Sequence, residues 1–199
     1  MKILAVADTE DRALNDHFDR ERYRDVELVI SCGDLKASYL DYLSSQLNVP
    51  LLYVRGNHDA AYVERPPGGC DDLDGRVRRV AGLRIAGLEG SRWYGGKGVE
   101  YGDLAMGLKA VALDVKIRLA GGVDVIVAHA PPTFPDGEAQ PAADRVHAGF
   151  SAFQRLIEHH QPKLFLHGHT HLGYGRNKRE RLIGKTRVID CYGAYLITL

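Results

Sequence analysis

Five apolar runs in this 199-residue chain stop abruptly in carboxylates, amides or imidazoles, and that recurrence restricts the fold more than any other feature. Met1 to Ala7 ends in Asp8-Thr9-Glu10, Val26 to Cys32 in Gly33-Asp34, and Val49 to Val54 in Arg55-Gly56-Asn57-His58-Asp59. Val123 to Ala128 runs into His129-Ala130-Pro131-Pro132, and Leu164 to Leu166 into His167-Gly168-His169-Thr170-His171. The runs are continuously apolar rather than alternating, the pattern of strands buried on both faces. A segment of helical spacing follows the second run, with Leu35, Tyr39, Leu43 and Leu47 repeating every four residues. Strand and amphipathic helix in alternation predict an α/β fold with a parallel sheet. In such sheets, ligands bind outside the carboxyl ends of the strands.

The remaining segments are expected to fill in around that frame. Asp11 to Arg24 reads as one short exposed helix, with Leu14 and Phe18 at helical spacing. Val77–Val80 and Leu83–Ala86 flank Ala81-Gly82 as a hairpin. Gly90 to Tyr101 is a glycine-rich loop that carries the only tryptophan, Trp93, beside Tyr94. Asp103 to Leu119 is helical, with Leu104, Leu108, Val111, Val115 and Leu119 on one face. Ala148 to His160 is a second helix with Phe150, Phe153 and Ile157 inward, and Arg187–Asp190 and Ala194–Leu199 read as a closing hairpin around Tyr192-Gly193. No repeat, low-complexity tract or linker divides the sequence, so residues 1–199 are expected to form one domain.

Composition excludes several classes. Lysine plus arginine number 26 and aspartate plus glutamate 26, a net charge of zero, which argues against a dedicated nucleic-acid binder. Cys32, Cys70 and Cys191 are scattered and odd in number, which fits reduced thiols in the cytoplasm better than disulfides or a cysteine zinc site. No run approaches the roughly 20 apolar residues of a membrane span, and the first residues lack a signal-peptide layout. A cytoplasmic protein without a membrane partner is expected; its oligomeric state is not legible.

Each polar residue at a strand end has an ordinary reading. Asp34 fits a helix cap before Leu35, Asp8 a cap near Asp11, and Asn57 a turn. His129 alone fits a satisfied core histidine. His169 and His171, two apart, point the same way in an extended segment. Their joint occurrence changes the reading: oxygen and imidazole donors in this mixture suit Mn, Fe or Zn rather than Ca. They are too many for one tetrahedral zinc and about right for two metals sharing a carboxylate. Two such ions about 3.5–4 Å apart form a clamp for phosphoryl transfer. His17, His147, His159 and His160 are expected in solvent, and His167 behind a ligand. Trp93, Tyr94 and Tyr101 either stack on a nucleobase or aryl group or only pack their own loop. Arg55 and Arg65 either bind phosphate or are surface residues.

In order and spacing, these five motifs resemble the series of the calcineurin-like metallophosphoesterases, and Gly90-Ser91 is similar to the smaller bacterial and archaeal members. The resemblance implies a two-sheet β-sandwich flanked by helices, layered α/β/β/α, and two divalent ions, Mn first with Fe or Zn as alternatives. It implies Asp34 as the bridging ligand, Asp8 and His171 on one metal, and Asn57, His129 and His169 on the other. His58 would be the general acid, with Asp59 orienting its ring. The expected activity is hydrolysis of small phosphodiesters or phosphomonoesters by metal-activated hydroxide, and no serine or cysteine is placed as a nucleophile. One departure stands out. The family's first motif is usually Asp-x-His, and here it is Asp8-Thr9-Glu10. Glu10 either ligates in place of the imidazole or points away, leaving that metal site weak or empty and the enzyme slower; the alternative function is a catalytically weakened binding scaffold that keeps this fold.

Overall fold

The computed structural model describes residues 1–96, 98–135, 147–170 and 178–199. In chain order the elements are β1 (Lys2–Ala7), α1 (Arg12–Asn15), α2 (Arg20–Tyr23), β2 (Val26–Ser31), α3 (Ala37–Leu47), β3 (Leu51–Tyr53), β4 (Asp71–Asp72), β5 (Val77–Val80) and β6 (Leu83–Leu88). They continue with β7 (Ser91–Arg92), β8 (Glu100–Tyr101), α4 (Asp103–Leu119), β9 (Val125–Ala128), α5 (Ser151–His160), β10 (Leu164–His167), β11 (Glu180–Ile183), β12 (Thr186–Asp190) and β13 (Gly193–Thr198). All five apolar runs are strands, and a 3₁₀ turn, Asp59–Val63, follows the third.

Two large sheets take up these strands. One has the order β13-β1-β2-β3-β4, the other β11-β12-β10-β9-β6-β5. The strands that carry the motifs are parallel within their sheets: β1 to β2, β2 to β3, and β9 to β10. Antiparallel strands, β13, β5 and β11, lie at the margins. Parallel pairing brings all the strand ends of one sheet to the same edge, which is how motifs distant in sequence come together.

Because the runs are apolar on both faces, each sheet packs on two sides. Ile3, Ala5, Leu28, Ile30 and Leu52 from the first sheet meet Ile85, Val125, Val127, Leu164 and Leu166 from the second in a core between them. The outer face of the first sheet, through Leu4, Val6 and Val29, packs on Tyr39, Leu40 and Leu43 of α3. The outer face of the second, through Leu88, Ile126 and Phe165, packs on α4 and α5. The result is the expected α/β/β/α layering.

Three local expectations are corrected. Asp11 to Arg24 is two four-residue helices, not one, because Asp11 caps α1 through the Ala13 amide and Asp19 starts α2 by accepting from the Glu21 and Arg22 amides. The closing hairpin does not form: β12 joins the second sheet beside β10, while β13 crosses to the first sheet beside β1. Gly193, at φ 75°, begins the crossing strand. The stripe from Leu104 to Leu119 does share a face of α4, but that face is exposed, and Met106, Ala110, Leu113 and Ile117 make the inward contact.

Candidate metal centre at the strand ends

The chain must reverse sharply at each strand end for a polar side chain to turn back over the sheet. Asp8, Asp34 and His169 do so with φ of 64°, 58° and 69°. Left-handed backbone at a residue other than glycine costs on the order of 1–3 kcal/mol and gathers at functional sites. Neither Asp8 nor Asp34 caps a helix: α1 starts after Asp11, and the residue before α3 is Lys36.

Glycines clear the space around these residues. A Cβ on Gly33 would meet the Gly56 amide nitrogen and, at 2.9 Å, the His129 Nδ1. One on Gly56 would overlap the Asp34 carboxylate, and one on Gly168 would lie 2.7 Å from Asp8 Oδ2. Each glycine beside a motif is therefore required by close approach rather than by turn geometry alone.

Asp34, His129 and His169 offer donor atoms that all lie within 4.8 Å of one another. The His129 Nδ1–H donates to the Cys32 carbonyl at 2.8 Å, which directs Nε2 toward Asn57 Oδ1 at 2.9 Å and Asp34 Oδ2 at 3.3 Å. The rings of His129 and His169 are 4.8 Å apart. Asp8 accepts the His169 amide on both oxygens, at 2.9 and 3.0 Å, which ties the first strand end to the last. Asn57 is buried, and its Nδ2 donates to the Tyr94 hydroxyl at 2.9 Å, leaving Oδ1 facing His129.

The electrostatics are those of a pocket short of positive charge. Burial pushes the Asp8 carboxyl up to about 7, against the lowering effect of His129. Burial also works to raise Asp34, but the hydrogen bond and charge of His129 outweigh it and hold Asp34 below the usual carboxylate range. Burial depresses His129 in turn, and Asp34 more than compensates, lifting it to about 9. A doubly protonated imidazole thus fills part of the role a cation would take, and a bound metal would displace that proton.

His58 stands apart from this cluster. Its side chain is 74% exposed, with Nε2 3.9 Å from Asp34 Oδ2, and its backbone N–H donates to Asp34 Oδ1 at 2.8 Å. Asp59, expected to orient the His58 ring, is engaged with the backbone instead. One of its oxygens accepts the amides of Gly56 and Asp34, both at 2.7 Å, and burial raises its carboxyl to about 6. Glu10 lies 3.2 Å from Lys36 Nζ in an ion pair at the rim. His171 lies outside the described residues. Arg55, read as phosphate-binding or surface, forms a two-point pair with buried Glu89, at 2.7 and 3.1 Å.

Three further residues bear on the site. His147, expected in solvent, has its ring 4.8 Å from that of His169. It is carried there because the Phe150 amide bonds to the Pro131 carbonyl, folding residues 147–150 back onto the His129-Ala130-Pro131-Pro132 turn. Tyr94 is fixed by the Glu100 carboxylate, which accepts the amides of Tyr94, Gly95 and Gly96 at 3.0, 3.0 and 2.8 Å. Asp190 accepts from the Thr170 hydroxyl and from the Tyr192 amide, bracing the turn after His169. Only Tyr94 had a sequence signal, its place in the glycine-rich loop.

Residues 1–189 match the family model of the calcineurin-like phosphoesterase superfamily domain. Among solved structures, a Thermus thermophilus protein superposes with a TM-score of 0.67 at 17% identity, with 96% of this chain and 89% of that one covered. Another solved Thermus thermophilus chain reaches 0.51 at 18% identity, over 96% of this chain and 75% of that one. At these identities the superpositions bear on the fold alone. No curated protein matches the chain.

Proposed function

Since the chain belongs to the calcineurin-like phosphoesterase superfamily, we propose that it is a divalent-metal-dependent hydrolase of small phosphodiesters. The observation that carries this reading is the convergence of Asp34, His129 and His169, from three strand ends, on one buried cluster with Asp8 and Asn57 beside it. The donors fit the group: carboxylate, amide oxygen and imidazole nitrogen suit Mn, Fe or Zn. Asp34, with two oxygens and a depressed pKa, suits the bridging role; Asn57, His129 and His169 would hold one ion and Asp8 the other, with His171 and Glu10 its remaining candidates. When bound, such ions supply the charge that acidifies a water and offsets the phosphoryl oxygens.

The chain's own groups supply the rest. His58 is free of the donor cluster and open to the mouth of the site, where an imidazole can give its proton to a departing alkoxide. Its backbone bond to Asp34 sets the distance between that acid and the centre. Tyr94 holds the Asn57 amide so that its oxygen rather than its nitrogen faces His129. A cavity of about 410 Å³ is lined by Arg92, Trp93, Tyr101, Gly102, Asp103 and Ala148. Its exposed indole suits a flat aryl or nucleobase group on the substrate.

A second reading, a binding scaffold with weakened chemistry, draws on the Glu10–Lys36 pair, which neutralises the one atypical motif residue. Hydrolysis of bis-p-nitrophenyl phosphate and p-nitrophenyl phosphate separates the two. Protein stripped by a chelator and resupplied with Mn should turn over the diester, and Asp34→Asn should not. No turnover of either ester with any divalent ion would discard the hydrolase in favour of the scaffold.

A further inference from the structure

His147 reaches the donor cluster from a segment that carries no motif. Its ring lies 4.8 Å from that of His169, the same separation as between His129 and His169, so His169 has two imidazole neighbours. The approach is fixed by the residues that follow. The Phe150 amide donates to the Pro131 carbonyl at 3.0 Å, and the Phe150 carbonyl accepts the Thr133 amide at 3.3 Å. The Phe150 ring is buried, with the Phe153 ring 5.1 Å away. Gly149 runs so close to the same turn that a Cβ there would lie 2.3 Å from the Pro132 carbonyl oxygen. Arg92 donates to the Gly149 carbonyl at 3.2 Å. Two residues beyond His147 the chain is thus pinned to the turn that carries His129, which holds the imidazole near the centre.

Among the described residues, the donor atoms that gather within 4.8 Å are those of Asp34, His129 and His169, and His147 stands outside that set. The next residue, Ala148, lines the cavity of Arg92, Trp93 and Tyr101. Within one residue the chain therefore passes from the side of His169 to the wall of that cavity. A diester with its phosphoryl group at the centre and its second ester group in the cavity would cross His147.

A phosphoryl group is held by N–H donors of the protein as well as by cations. Four cationic side chains of this region are engaged elsewhere. Arg55 is paired with Glu89, Lys36 with Glu10, and Arg92 with Asp103, while Arg179 donates to the Asp190 and Tyr192 carbonyls. Two imidazoles stand beside the donors instead, His58 by Asp34 and His147 by His169. We propose that His147 is a substrate-binding residue, its ring N–H donating to a non-bridging oxygen of the phosphoryl group. It makes and breaks no bond, in contrast to His58. The role rests on the metal-dependent hydrolase reading, and the experiment separates the two.

Inorganic phosphate is the probe. Titrated into Mn-loaded protein in a calorimeter, it should bind His147→Ala about 10-fold more weakly than the native chain, the loss expected for one hydrogen bond to a charged oxygen. Mn uptake, read by electron paramagnetic resonance, and melting temperature should be unchanged. The kcat/KM for bis-p-nitrophenyl phosphate should fall by a similar factor. Gly149→Ala leaves the imidazole in place but forces its segment off the Pro131-Pro132 turn, and should weaken phosphate binding in the same way. Native phosphate affinity in His147→Ala overturns the proposal. So does Mn uptake lost in that variant, which would make His147 a metal ligand. A native chain that takes up no Mn fails the hydrolase reading and removes this role with it, whereas native Mn uptake with unaltered phosphate binding in His147→Ala fails this role alone.

Discussion

Asp8→Asn should stabilise the metal-free protein, and by an amount that depends on pH in a defined direction. Burial lifts the Asp8 carboxyl from 3.8 to about 7 in the folded chain. Between those values the folded state holds a proton that the unfolded state has released, so stability falls as pH rises through that window and levels off above it. The difference corresponds to about 4 kcal/mol by pH 8. For a chain of this length that is about 8–16 °C in melting temperature. Asparagine keeps an oxygen for the His169 amide and has no charge to bury. Asp59, raised to about 6, also costs stability as pH rises, in both proteins alike; His129, raised to about 9, does so too, but part of its rise comes from the Asp8 charge and is lost in the variant, so the measured difference is that of the Asp8–His129 pair. Denaturant unfolding at pH 4 and pH 8 in excess chelator measures the effect. The two proteins should be close at pH 4 and far apart at pH 8, with the variant the more stable. Adding Mn at pH 8 should reverse their order. Parallel pH dependence of the two proteins in chelator would refute the claim that an uncompensated buried charge at Asp8 waits for a cation.

Two other substitutions separate the roles around the centre. His58→Ala should slow esters with poor leaving groups by about 100-fold or more while sparing nitrophenyl esters, the signature of a lost general acid; equal losses on both would count against that role. Tyr94→Phe removes the partner of Asn57 Nδ2 and should weaken Mn affinity about 10-fold, with little change in melting temperature, since partners behind a ligand typically contribute that much. Unchanged affinity on calorimetric titration would leave Tyr94 as loop packing only.

The strand ends were legible because burial on both faces leaves a continuous apolar run, and a run that ends in Asp, Asn or His cannot do so without a use for it. Which strands share a sheet was less legible. Arg187–Asp190 and Ala194–Leu199 each read as a strand, but pairing is decided by partners far away in sequence: Leu164–His167 for one and Lys2–Ala7 for the other. The helix over Asp103–Leu119 was readable to its ends, yet its orientation was not. It has two apolar faces, and the small and long side chains of Met106, Ala110, Leu113 and Ile117 fit the sheet. Asp59 follows His58 directly, which suggested a pair, but its carboxylate satisfies two backbone amides that the sharp turns at Gly56 and Asp34 leave open. His147 reaches the site only through backbone pairing between Phe150 and Pro131, which has no sequence signature.

Mn binding, measured directly by electron paramagnetic resonance on chelator-stripped protein, tests the metal centre without relying on any substrate. Titration should show Mn taken up at micromolar free metal by the native chain, with protons released as it binds, and uptake lost in Asp34→Asn and in His129→Ala. A native chain that leaves all added Mn free in solution would contradict the assignment of the strand-end cluster as a metal site.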